Sequence, residues 1–279
     1  MIRNLSWMLI TANPAIAKHA EACGVQRIFV DMESLGKYER QKHLSAHNAS
    51  HTLDDVATIA DVLKQAELMV RINPMNNNSA YEIDGAIENG AQRLMLPMFR
   101  RPEEIRKFLE LVNERVPVTL LAETIQAVSR LSTYVDNLGP RDEVYFGLND
   151  LALDMKLNYL FEPLAARTFE LGTKLLINRK IDFGFGGIAR IGHGELPSEY
   201  VLSEHVRLGS KWAILSRAFH GNAQRLEELV DKIDLEEELK KLRKEEELLQ
   251  KSNYSTLENN RQRLERKVFE IAKGKWSDD

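Results

Sequence analysis

Residues 145–154 read "YFGLNDLALD". The first five follow "RDEV" and have the apolar, aromatic character of a strand, which then ends on Asn149 and Asp150 with "LALD" directly behind it. Asn and Asp at a strand-to-helix junction serve well as helix caps, because their side chains accept from backbone N–H groups that lack partners there. A carboxylate at a strand end also serves chemistry, provided other strand ends meet it. The rest of the chain decides between these uses.

Short apolar, β-rich runs of the same kind recur: "SWMLIT" (6–11), "RIFVDME" (27–33), "LMVRIN" (68–73), "RLMLPMF" (93–99), "VTLLAE" (118–123), "VYFGLND" (144–150), "DFGFGGIAR" (182–190) and "WAILSRAF" (212–219). Helix-like segments such as "PAIAKHAEACG" and "RPEEIRKFLELVNER" separate them, and several close on glycine (Gly24, Gly90, Gly209), the usual residue just past a helix C-terminus. Strands alternating with helices mean parallel β-α units. Eight such units in about 220 residues predict an α/β fold, a closed (β/α)8 TIM barrel. An open doubly wound sheet is the rival, but no strand is followed by the G-x-G-x-x-G turn of that fold.

The chain has 279 residues, 43% apolar, and a formal net charge of −4, so no basic excess points to nucleic acid or an anionic membrane as partner. No run approaches the roughly 18 apolar residues of a membrane span. The apolar run Trp7–Ile10 is too short for the core of a signal peptide, and the chain reads as cytoplasmic. The single cysteine, Cys23, excludes an intramolecular disulfide and a multi-cysteine metal site, and reads as a small hydrophobe on a helix face.

After Asn222 the character changes. "RLEELVDKIDLEEELKKLRKEEELLQKSNYSTLENNRQRLERKVFEIAKGKW" has no strand signal, no proline and alternating charges. Leu235, Leu242 and Leu249 recur every seven residues, with Leu239 between them. Leu257, Leu264 and Ile271 repeat the spacing in another phase. The division expected is a barrel over 1–222 and a charged, coiled-coil-like helical extension over 223–279. A ring of helices around the barrel would leave that stripe no place, so it is expected to pair with a second copy in a homo-oligomer. A solvated charged tail is the plainer alternative.

In a β/α barrel the C-terminal strand ends converge on one mouth. Strand 2 ends in Asp31 and Glu33, strand 3 in Arg71 and Asn73, strand 4 in Pro97 and Met98. Strand 5 ends in Glu123 and Thr124, strand 6 in Asn149 and Asp150, strand 7 in Gly186, Gly187 and Arg190, strand 8 in Ser216 and Arg217. Strand starts carry ordinary charges such as Arg27 and Arg93. Asp150 is thus one of several acids aimed at a common point. Glu123 and Asp150, on adjacent strands, would offer two hard oxygen ligands to a Mg²⁺-like ion. Arg71 would offer a rigid fork to a substrate carboxylate. The set suits a 2-oxo acid whose enolate is stabilised as an adjacent C–C bond breaks or forms. Simple ion pairing across the mouth is the plainer reading of the same acids. A Schiff-base aldolase needs a lysine inside the barrel, and none of the eight runs contains one. The Gly-rich "GFGGIARIGHG" would let backbone N–H groups approach an anion, though it lacks the lysine of a phosphate loop.

Taken in order, "RIFVDMES", "VRINP", "GAQRLMLPMFRRPEE", "LLAETIQAV" and "YFGLNDLALD" resemble the HpcH/HpaI aldolase/citrate lyase beta-subunit family, over about residues 5 to 220. The resemblance implies a (β/α)8 barrel and a divalent metal, Mg²⁺, Mn²⁺ or Co²⁺. It also implies a carbon–carbon lyase of the class II aldolase type working through a pyruvate-like enolate, or an acyl-CoA lyase of the citrate, malyl or citramalyl type. It puts Glu123 and Asp150 on the metal and Arg71 on the substrate carboxylate. The chain departs from both branches at Ser34, where the aldolases carry an acid–base histidine and the citrate lyases an aspartate. The long loop that follows holds Arg40, His43, His47 and His51. Of these His51 is the expected replacement, because "SHTLDD" also marks a helix start that would hold it near the rim. Asp31, Arg71 and His51 are therefore the catalytic candidates. Glu33, Pro97, Gly186, Gly187, Arg190 and Ser216 are the substrate-binding ones. The altered Ser34 leaves open a barrel that has lost catalysis and serves as a binding or assembly module.

Overall fold

A computed structural model describes residues 4–36 and 51–275 of the chain. Eight parallel strands close in sequence order into one barrel. They are β1 Ser6–Ile10, β2 Arg27–Asp31, β3 Glu67–Arg71, β4 Arg93–Leu96, β5 Val118–Ala122, β6 Glu143–Phe146, β7 Asp182–Ile188 and β8 Trp212–Leu215. The helices between them include α1 Pro14–Ala22, α2 Leu53–Val62, α3 Ser79–Glu88, α4 Pro102–Val112 and α5 Ile125–Ser129. Then come α6 Leu148–Asp154, α7 Glu162–Ala165, α8 Glu170–Arg179, α9 Ser198–Leu208 and the single turn α10 Arg217–His220. Among the described residues no helix is long and apolar enough to cross a membrane.

The observed strands are shorter than the apolar runs, and the difference bears on the site. β6 stops at Phe146, and α6 begins at Leu148 with Gly147 as its N-cap. Asn149 and Asp150 are therefore first-turn helix residues, not strand-end residues, and neither is the cap. The seam between β7 and β8 carries a bulge between Gly184 and Gly187. Tyr145, inside the barrel, spans that irregularity: its hydroxyl donates to the Gly186 carbonyl and accepts from the Ile214 N–H at 3.0 Å. Gly184 is required there, since a Cβ would collide with the Tyr145 ring and the Trp212 carbonyl.

The charges at the strand starts are not ordinary surface charges. Arg27 is 1% exposed and pairs with Glu67 and Glu143, with its guanidinium 3.6 Å from the centre of the Trp212 ring. Arg93 joins Glu67 at 3.1 Å, and Thr119 donates to Glu143 at 2.9 Å. Strands β2 to β6 thus seal the barrel floor with a satisfied ionic layer. Charges survive burial there because each has a partner.

The segment after Asn222 folds as α11 Leu226–Val230, α12 Leu235–Gln250 and α13 Tyr254–Lys273. The expectation that its leucine stripe faces a second copy is not met. Leu235, Leu239, Leu242, Leu249 and Leu264 belong to the same buried apolar cluster as the barrel's outer face. α12 packs on α9, and its Glu246 accepts from the Leu5 N–H at 2.6 Å while Arg243 donates to the Leu5 carbonyl at 2.8 Å. α13 covers α9 and α7. The reason lies after β8, where residues 1–222 offer only the four-residue α10. The outer ring lacks its eighth helix until α12 supplies it, so the stripe is used within the chain and gives no ground for an oligomer.

Candidate active site

The C-terminal strand ends open into a cavity of about 1020 Å³. Asp31, His51, Arg71, Glu123, Asp150, Gly186, Gly187 and Ser216 all line it, so eight of the sequence candidates meet at one mouth. Glu33, Pro97 and Arg190 do not reach its wall. Glu33 is 1% exposed and stands behind Arg71, 3.4 Å from Nη2, which removes it from substrate contact and makes it a support for the arginine. Pro97 is buried where β4 turns away, and the next residue, Met98, carries the site contact instead. Arg190 has its Nε buried with no hydrogen-bond partner among the described residues. Arg40, His43 and His47 lie outside the described residues.

Glu123 and Asp150 are both buried, at 2% and 7% exposure. Glu123 leaves β5 directly and accepts from the Met98 N–H at 3.1 Å. Met98 adopts a left-handed φ of 54°, uncommon for a residue with a side chain. Gly147 makes room for the acid, because a Cβ there would sit 2.7 Å from Glu123 Oε2. Burial pushes the Glu123 carboxyl well above the ordinary range, the nearby Asp150 charge pushes it further, and Arg71 opposes both.

Asp31 engages one edge of Arg71 with both carboxylate oxygens: Nε donates to Oδ1 at 2.8 Å and Nη2 to Oδ2 at 2.7 Å. This corrects the expectation that the whole fork is open to substrate. Burial by itself disfavours the guanidinium charge, but Asp31, with Glu33 and Glu123 behind it, holds the arginine firmly protonated. Nη1 makes no hydrogen bond among the described residues, and it is the part of the fork left for a ligand.

His51 lines the mouth two residues before α2. Its Nδ1 accepts from the Asp31 N–H at 3.0 Å, so the neutral ring carries its proton on Nε2. Thr52 and Asp55 form a reciprocal capping box at the start of α2, which fixes the residue next to His51. Ser34 turns elsewhere: its N–H and hydroxyl both donate to Asn73 Oδ1, at 2.9 and 3.3 Å.

Among the described residues, no group of three or more His, Cys, Asp or Glu forms a full metal cage. The donor set nonetheless fits a hard divalent ion of the Mg²⁺ kind, which takes one or two carboxylates and fills its shell with water and substrate. A cation there would stabilise both buried carboxylates as anions, and would relieve the burial and the Asp150 charge that push the Glu123 carboxyl up. Sequence reasoning missed the Met98 N–H, the space at Gly147, the Tyr145 strut and the far wall of the cavity. Only Gly147, between a strand and an acid, left a readable trace.

A (β/α)8 barrel with buried acids and an arginine at the C-terminal mouth defines an enzyme-like site. The family model for HpcH/HpaI aldolase/citrate lyase matches residues 5–160, and the chain belongs to that family. Membership supports a lyase function on small molecules, in a family that is generally dependent on a divalent metal. No curated protein sequence matches the chain. Among solved structures it is similar to an HpcH/HpaI aldolase from Desulfitobacterium hafniense, 17% identical with a TM-score of 0.60, over 79% of this chain and 90% of that one. It is also similar to an HpcH/HpaI aldolase/citrate lyase family protein from Burkholderia cenocepacia, 16% identical with a TM-score of 0.57, over 76% and 88%. A third is RipC from Yersinia pestis, 13% identical with a TM-score of 0.56, over 92% and 100%. At these identities the likeness concerns the fold.

Proposed function

We propose that the chain is a divalent-metal-dependent carbon–carbon lyase of the class II aldolase type, acting on a 2-oxo acid or its aldol adduct. The observation that carries this reading is the burial of Glu123 and Asp150 beside Arg71 at one barrel mouth. Glu123 and Asp150 would hold Mg²⁺, Mn²⁺ or Co²⁺, whose bound charge lowers the cost of an enolate. Arg71 offers Nη1 to the substrate carboxylate while Asp31 fixes the other edge of its guanidinium, so the fork is oriented before substrate arrives. His51, with its proton on Nε2, is suited to move a proton at the aldol oxygen or the enolate carbon. It stands in for the histidine that Ser34 lacks. Gly186, Gly187 and Ser216 would contact the substrate on the β7 and β8 side.

The test is exchange of the methyl protons of pyruvate with solvent deuterium in the presence of Mg²⁺ or Mn²⁺. Exchange is expected in the parent, and His51→Asn should slow it by about 10²- to 10⁴-fold. Ser34 favours one other reading, a barrel without catalysis that serves as a binding module. Bound 2-oxo acid with no exchange would support that reading instead.

A further inference from the structure

Phe29, Met95, Leu121, Tyr145 and Ile214 line the cavity and also belong to the apolar cluster that fills the barrel. They form the base of the candidate site, and Tyr145 brings the one hydroxyl among them. That hydroxyl lies in a gap of the sheet. Gly184 pairs with Trp212 below the bulge, and Ile188 pairs with Leu215 above it, where the Ser216 N–H donates to the Ile188 carbonyl at 2.9 Å. Between these levels the phenol stands in for a rung of the ladder. It donates to the Gly186 carbonyl on β7 and accepts from the Ile214 N–H on β8 at 3.0 Å. Burial pushes the phenol far above its ordinary range, so it keeps the proton that it donates.

The bonded residues continue directly into the mouth. Gly186 has a left-handed φ of 51°, and a Cβ there would sit 2.6 Å from Leu148 Cδ1, so it is confined between the Tyr145 hydroxyl and the residue that opens α6. Gly187 follows, and a Cβ there would lie 3.1 Å from the Ser216 Cβ. Gly186, Gly187 and Ser216 therefore form one close-packed wall whose β7 and β8 halves are tied at its base by the phenol. The opposite side of the site has other supports: Met98 holds Glu123, and Asp31 holds Arg71. Without the hydroxyl, the Gly186 carbonyl and the Ile214 N–H either lose their partner or close on each other, and both outcomes move the wall. Resting on the reading given above, we infer that Tyr145 is a positioning residue: its hydroxyl, substituting for a rung of the β7–β8 ladder, sets the Gly186–Gly187–Ser216 wall at the spacing that admits the 2-oxo acid.

Tyr145→Phe keeps the ring and removes only the hydroxyl. Tyr134→Phe is the control: Tyr134 is 1% exposed, its hydroxyl donates to the Ala127 carbonyl at 2.9 Å, and it does not line the mouth. Both variants should lower Tm. In the exchange of pyruvate protons with Mg²⁺ present, Tyr145→Phe should raise KM on the order of tenfold with kcat nearly unchanged, and Tyr134→Phe should leave both unchanged. A fall in Tm with KM unmoved makes the Tyr145 hydroxyl a rung of the fold only and overturns the inference. A loss in kcat with KM unmoved overturns it as well, and both results leave the enolate reading intact. If the parent shows no exchange, calorimetric titration with Mg²⁺ and oxalate separates the two claims. Weaker oxalate binding in Tyr145→Phe but not in Tyr134→Phe keeps the positioning role and removes the aldolase reading; equal binding in both, or none in the parent, removes both. If Tyr145→Phe fails to fold, amide hydrogen exchange of the parent decides. Mg²⁺ and oxalate should slow exchange over 184–188 and 213–216 more than elsewhere in the barrel, and no such slowing overturns the role.

Discussion

Leu242 measures how far the C-terminal helices belong to the barrel. It is 0% exposed, on α12, within the same apolar cluster as the barrel's outer face. Leu242→Ala removes three buried carbons, a transfer loss of about 2.4 kcal/mol at ~0.8 kcal/mol per carbon. The cavity left behind adds to this, so a total of about 3 to 4 kcal/mol is expected. For a protein of this size that corresponds to a fall in Tm of roughly 6–15 °C. Leu248, on the same helix but 54% exposed, is the control, and Leu248→Ala should stay within about 0.5 kcal/mol of the parent. Urea unfolding followed by both tryptophan fluorescence and far-UV circular dichroism reads the outcome. Trp7 is 2% exposed in β1 with the Arg243 guanidinium of α12 5.3 Å from its ring centre, and Trp212 lies in β8, so in a Trp276→Phe background fluorescence reports on the barrel. Both signals should move together to lower urea. If Leu242→Ala shifts only an early loss of helix and leaves the fluorescence transition in place, α12 is an independent appendage and the eighth-helix argument is wrong. Truncation after Asn222 makes the same point more coarsely: the remainder should fail to fold as a soluble barrel.

Glu123→Gln and Asp150→Asn should each abolish the rise in Tm that Mg²⁺ or Mn²⁺ gives the parent; retention of that rise in both variants would remove the metal assignment. Without metal, Glu123 has a folded proton affinity raised by burial and by Asp150, so its contribution is fully present below its unfolded pKa and is lost as pH rises toward the folded one. Metal-free Glu123→Gln should therefore be more stable than the parent at neutral pH, as chemical denaturation would show. Arg71→Lys keeps the charge but loses the paired contact with Asp31, and should weaken binding of a non-reactive pyruvate analogue by about tenfold or more in calorimetry. His205 is fully buried, stacks on Phe185 with ring centres 3.8 Å apart, and is pushed down by burial to about 3. Stability should be complete above the unfolded histidine value and fall by up to about 1.4 kcal/mol per pH unit on the way down to 3. His205→Phe should flatten that part of the acid denaturation profile.

The sequence carried the alternation of strands and helices, because each element's periodicity is written locally. It also placed Asp31, Arg71 and Glu123 at one rim, because a parallel barrel brings all strand ends together, whereas Asp150 reaches that rim from the first turn of α6. "SHTLDD" likewise announced the helix start next to His51, where the structure adds the Thr52–Asp55 capping box. What depended on tertiary structure was each group's partner. The leucine stripe states that α12 is buried, but periodicity does not say against what, and the answer turned on a missing helix after β8. Arg27 and Arg93 read as surface charges because nothing local reveals that their strands aim them inward at Glu67 and Glu143. The bidentate grip of Asp31 on one edge of Arg71 joins residues 40 positions apart, and the Met98 N–H reaches Glu123 from 25 positions away. Such contacts are set by strand order and register, which exist only once the barrel has closed.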